Sequence, residues 1–125
     1  MKLPSDDNVE KALLGTALVD ENALHKVLEL HPSDFFYNNN RKIFQRIKEH
    51  YDKNLPIDSL TVSDSDVQDS GYLSYFTHDV DGYIKILQGK RKVRDIIHAC
   101  HATIQQAGEG ADAEYLAAQL GGVIQ

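Results

Sequence analysis

Apolar residues recur along this chain at spacings of three and four, and that period points to helices throughout. Val9, Leu13, Leu14, Ala17 and Leu18 share one face of a helix predicted over Asp7–Val19. Asp6, Asp7 and Asn8 precede it, supplying a cap and negative charge at its amino end. Gly15 interrupts the run at a cost of ~1 kcal/mol relative to Ala, which predicts a close helix crossing there. Asp20 caps a second helix with Leu24, Val27, Leu28 and Leu30 as its buried stripe, and Pro32 ends it. A turn at Pro32, Ser33 and Asp34 leads into an aromatic plug, Phe35, Phe36 and Tyr37. A third helix runs from about Asn39 to Lys53, with Ile43, Phe44, Ile47 and Tyr51 inward and Arg41, Lys42, Arg46 and Lys48 outward.

Pro56 biases Leu55 away from helix, so residues 55 to 58 read as an extended link. Asp58, Ser59 or Thr61 caps a short fourth helix, poor in apolar residues, that Gly71 stops. Tyr72, Leu73, Tyr75 and Phe76 form a further short helix or a packed loop. Asp81 starts a long helix to about Ala107. In it Ile86, Val93, Cys100 and Ala107 lie seven apart, Ile96, Ile97 and Ile104 fill in around them, and Gly89 and Lys90 interrupt the seam. Gly108, Glu109 and Gly110 make a turn, and Asp112 caps a final helix through Leu116, Leu120 and Val123, completing a helical hairpin. No segment alternates with period two. The predicted fold is all-α: one domain, with a compact globular helical bundle over residues 1–80 and a C-terminal antiparallel hairpin over residues 81–125.

Composition narrows the function classes. The chain has 125 residues, 42% hydrophobic and 26% charged, enough for one modest core built without Trp. A net charge of −6 argues against a general electrostatic grip on a nucleic-acid backbone, so strong direct DNA binding is not expected. Cys100 is the single cysteine; it excludes an internal disulfide and fits a reducing compartment. No apolar run approaches the roughly 18 residues of a membrane span, and a cytoplasmic, membrane-free protein is expected.

Candidate chemistry thins out on inspection. A phosphate-binding loop places Gly, Lys and Ser or Thr at fixed spacing, but Gly82 and Gly89-Lys90 are separated by six residues and Arg91 follows. His98, Cys100 and His101 carry metal-ligand chemistry, yet no second ligand pair lies at finger-like spacing; a core cysteine flanked by surface histidines is the better reading. A calcium loop started at Asp64 puts Gln68, Asp69 and Tyr75 at positions five, six and twelve, where oxygen ligand, glycine and glutamate belong. Lys85, Lys90, Arg91, Lys92 and Arg94 hold five of the thirteen basic residues. They are read as a solvated helix face, with contact to phosphates or an acidic partner as the alternative. No catalytic motif is found, and no catalytic, cofactor or metal site is expected.

Three stretches together resemble the amino-terminal domain of the hexameric replicative helicases of bacteria and their phages, the DnaB family. Glu10-Lys11-Ala12-Leu13-Leu14-Gly15 is similar to the family's E-x-x-V-L-G. Pro32-Ser33-Asp34-Phe35-Phe36, followed by Arg41-Lys42-Ile43-Phe44, is similar to P-x-D-F-Y and R-x-I-[FY]. Pro56-Ile57-Asp58, with Thr61, is similar to P-[VI]-D-x-x-T. Beyond Asp81 the likeness is one of plan, and the segment from Val62 to Asp81 departs from the family.

The resemblance implies a non-catalytic assembly and docking domain in DNA replication. Such a domain forms the collar of the helicase hexamer through pairing of hairpins and binds primase or a helicase loader. Ile86, Val93, Ile96, Ile97, Cys100 and Ile104 are the expected subunit contacts. The family's ATPase core is absent, and the end at Gln125 favours a fragment over a standalone relative. A standalone, phage-encoded adaptor that regulates a host helicase or primase is the alternative. A helix-turn-helix DNA binder is disfavoured by the acidic charge.

Overall fold

The computed structural model of the chain describes residues 2–62 and 71–124, and among these every regular element is helical. The helices are α1 (Asp7–Val19), α2 (Glu21–Leu28), α3 (Asn38–Asp52), α4 (Ser59–Val62), α5 (Val80–Gly108) and α6 (Ala113–Ile124). Two 3-10 turns, Pro32–Asp34 and Tyr72–Ser74, join them. Most of the predicted fourth helix lies outside the described residues. No helix among those described is long and apolar enough to cross a membrane.

α1 is the central post, buried on nearly every side from Val9 to Leu18. Asp6 caps it by accepting the Val9 amide at 3.1 Å. Asp20 then serves two helices. It ends α1 in extended backbone, and its Oδ1 accepts the Asn22 and Ala23 amides to start α2. Gly15 meets a close approach, but of a different kind from the predicted helix crossing. A Cβ there would sit on the carbonyl oxygens of Tyr72 and Tyr75, so it is a 3-10 turn that presses against α1. Thr16 stitches the same contact, accepting the Thr77 amide at 3.0 Å.

α3 lays Ile43, Phe44 and Ile47 into the core, with Phe44 stacked on Phe35 at 4.8 Å between ring centroids. Tyr51, predicted inward, is exposed, because the last turn of α3 overhangs the core; the His25 ring meets it edge-on at 5.8 Å. Asn54 ends the helix in left-handed backbone, φ 56°, while the Asn54 and Leu55 amides close on Tyr51 and His50. Asp58 caps α4 through the Leu60 and Thr61 amides, and Thr61 returns its hydroxyl to the Pro56 carbonyl.

The letters that carried the resemblance turn out to be structural devices. Glu10 is buried, and its carboxylate accepts the Phe36 amide at 2.9 Å, the Tyr37 amide at 3.3 Å and Asn40 Nδ2 at 3.1 Å. Arg41, predicted to face water, instead donates Nε and Nη2 to the Phe35 carbonyl and Nη2 to that of Phe36. Together they satisfy both the amides and the carbonyls of the aromatic loop, whose buried backbone would otherwise lack partners.

Candidate subunit interface

α5 is 29 residues long, about 43 Å at 1.5 Å per residue, and only its first half touches the core. Leu87 is buried there, with Val80, Tyr83 and Ile84 packed beside it. The helix is then locked two turns further on by Arg94, which is 6% exposed. Its Nη1 donates to the Pro4 carbonyl at 2.9 Å, and its Nη2 to those of Asp34 at 3.3 Å and Ser33 at 3.5 Å. The guanidinium also rides over the Phe36 ring at 5.2 Å. Arg91 adds an ion pair to the buried Asp34 at 3.3 Å.

These two arginines correct the reading of residues 85 to 94 as a solvated charged face. Lys85 and Lys92 are exposed, but Arg91 and Arg94 pin the helix to the turn Pro32–Asp34. A signal for this was present: Arg94 lies seven residues after Leu87, on the same face of the helix.

Locking Leu87 and Arg94 inward fixes what the rest of α5 presents. At about 100° per residue, Ile86, Val93, Ile97, Cys100 and Ile104 fall within roughly 40° of one line, spanning about 27 Å. That line lies some 80–100° from the Leu87–Arg94 face by the same geometry. Ile86 is 43% exposed, Val93 44% and Ile104 69%; Cys100 is exposed and Ile97 half-buried. Ile96 sits apart, about 80° away on the opposite side of the line. It shares that side with the half-buried Ala99, Thr103 and Gln106, and α6 packs against α5 in the same hairpin.

Five of the six candidate contacts thus fall on one apolar line, four of them exposed and Ile97 half-buried, and the half-buried Ile96 lies off that line. The hairpin closes through Glu109 and Gly110, the latter at φ 94°, and Asp112 caps α6 by accepting the Tyr115 amide at 2.8 Å.

The reading of Cys100 as a core residue is also corrected, since it lies exposed in the stripe. His98 and His101 are exposed as well; three residues apart, they lie toward one side of α5, with Cys100 about 100° from His101. Among the described residues, no three metal-ligating side chains come together.

Comparison with known proteins follows the same outline. The family model for the DnaB-like helicase N terminal domain matches residues 2–89, well over half of the chain. No curated protein matches it. Among solved structures, the N-terminal domain of DnaB helicase from Mycobacterium tuberculosis superposes with a TM-score of 0.85 at 22% identity. That alignment covers 98% of this chain and 99% of the other, and at such identity it establishes the shared fold. The extent of the family match settles membership: this chain belongs to the family of DnaB-like helicase N-terminal domains, the helical domain of replicative DNA helicases.

Proposed function

We propose that this chain is a non-catalytic assembly and docking module of a replicative helicase. It pairs with a second copy through the outer stripe of α5, contributes in that way to the collar of the ring, and offers the assembled collar to primase or a loader. Nucleotide chemistry and unwinding belong to the parent's motor.

The observation that carries this reading is the stripe itself. Ile86, Val93, Cys100 and Ile104 lie exposed along one line of α5, with the half-buried Ile97 among them. Apolar surface gathered in one place, not scattered singly, marks an interaction site. Its approximate seven-residue spacing suits packing against another helix. A two-fold pair would bury the same residues on both copies.

Cys100 supplies a site-resolved test, being the single thiol and lying in the stripe. Its alkylation rate should fall as protein concentration rises, because pairing covers it. Identical rates from low micromolar to millimolar protein, while the chain does associate, would place the contact elsewhere.

A further inference from the structure

A second surface remains once the core and the stripe are assigned. Where α5 crosses the turn Pro32–Asp34, the chain forms a cleft of about 600 Å³, within the range of ligand-binding sites. One wall is apolar, from Leu3, Pro32 and Phe36; the other is cationic, from Arg41, Arg91 and Arg94. The chain has four arginines, Arg41, Arg46, Arg91 and Arg94, and a net charge of −6. Three of those four therefore converge on one site in an acidic protein. His98 and a single carboxylate, Asp95, complete the rim.

Each guanidinium is held by the protein and still has donors to give. Arg41 uses Nε and Nη2 on the Phe35 and Phe36 carbonyls, leaving Nη1. Arg91 uses Nη1 on Asp34 and Nε on Asp95, leaving Nη2. Arg94 uses both Nη atoms on main-chain carbonyls, leaving Nε. Forks fixed in this way are preorganised for an oxyanion, because the side-chain entropy is lost on folding and not on binding.

The charge balance selects among oxyanions. The lining of the cleft carries three guanidinium charges and one carboxylate, that of Asp95; the carboxylates of Asp34 and Glu10, which act on Arg91 and Arg94 without lining the cleft, offset part of the excess. A positive excess confined to the lining suits a singly charged oxyanion such as a carboxylate. A phosphodiester chain would bring several charges toward a protein that is itself acidic. The adjoining Phe36 and Pro32 suit an apolar residue next to that carboxylate.

We propose that this cleft binds an acidic segment of a partner protein, seating one Asp or Glu carboxylate on the arginines and a neighbouring aliphatic or aromatic side chain against Phe36 and Pro32. The proposal rests on the docking half of the function proposed above and is independent of the α5 stripe, so failure of one leaves the other standing.

The test is fluorescence anisotropy of the full chain with a labelled hexapeptide alternating Glu with Phe and Leu, and with its Gln counterpart. The Glu peptide should bind at least tenfold more tightly, about 1.4 kcal/mol. Arg91→Gln should weaken it by about tenfold, as expected for losing a charged hydrogen bond. Lys85→Gln, which removes the same charge from an exposed site outside the cleft, should leave affinity within about twofold. Asp95→Asn keeps every arginine, guards against a misfolded Arg91→Gln, and should tighten binding. Equal affinity for the two peptides overturns the proposal, as does equal loss in Lys85→Gln and Arg91→Gln, or no gain in Asp95→Asn. A single-stranded oligonucleotide that displaces the peptide by binding the same cleft more tightly overturns it, as does self-association abolished by Arg91→Gln alone.

Discussion

Replacing Arg94 by Met should cost about 3 kcal/mol of folding stability, because the guanidinium is the bolt between the hairpin and the bundle. The side chain donates to the Pro4 carbonyl at 2.9 Å and to the Asp34 carbonyl at 3.3 Å, with a longer contact to Ser33 at 3.5 Å. Hydrogen bonds from a charged donor contribute ~1.5–3 kcal/mol each, so two good ones give ~3–6 kcal/mol. Burial works against the charge: it pulls the arginine pKa below its ordinary value, with the Glu10 carboxylate opposing the shift. Met also recovers some apolar packing against Phe36. Both corrections place the net loss near the lower bound, about 10 °C in Tm for a chain of this size. Urea unfolding followed by far-UV circular dichroism measures it, and Arg94→Lys separates shape from charge. A lysine carries the charge without the fork and should restore less than half of the loss. A loss below about 1 kcal/mol in Arg94→Met, or full rescue by lysine, would refute the reasoning.

Two further outcomes follow from the same packing. Gly15→Ala should destabilise by about 1–3 kcal/mol despite Ala's better helix propensity, since the added methyl meets the backbone carbonyls of Tyr72 and Tyr75; a gain in Tm would show that the turn can retreat. Burial raises the Glu10 pKa above its ordinary value, outweighing the bonds from Phe36, Asn40 and Tyr37 that lower it. The native state therefore holds that proton more tightly, so this contribution to stability is full below the unfolded pKa of about 4.3 and is lost as pH rises through the folded value. The stability difference between wild type and Glu10→Gln should accordingly shift against wild type across that window, and a flat difference would contradict it.

Much of the helical plan was legible because apolar spacing and capping residues agree. Asp6, Asp20, Asp58 and Asp112 each sit at a helix start and each accepts the amides expected of a cap. The hidden part was polar. Glu10, Arg41 and Arg94 look like surface residues by type, yet each is held against backbone groups of the segment from Pro32 to Tyr37. Such pairing depends on tertiary neighbours distant in the chain, which periodicity cannot reveal. Tyr51 failed for the opposite reason. Its spacing fits the α3 stripe, but the helix outruns the core before that residue is reached.

Among the candidate contacts, the seven-residue spacing places Ile86, Val93 and Cys100 on one exposed line, and burial separates Ile96 from them. Whether the α5 stripe joins two copies is read most directly from mass. Sedimentation equilibrium of wild type and Ile104→Asp, across concentration, makes the comparison at the most exposed of the apolar stripe positions, where the fold itself is least disturbed. Burying an isoleucine contributes ~1.5–3 kcal/mol, and a two-fold pair loses it twice, so the variant's Kd should rise more than a hundredfold. Wild type should climb from 14.0 kDa toward multiples of that mass while the variant stays at 14.0 kDa. A wild type that remains at 14.0 kDa at millimolar concentration, or a variant that associates equally well, would contradict the account.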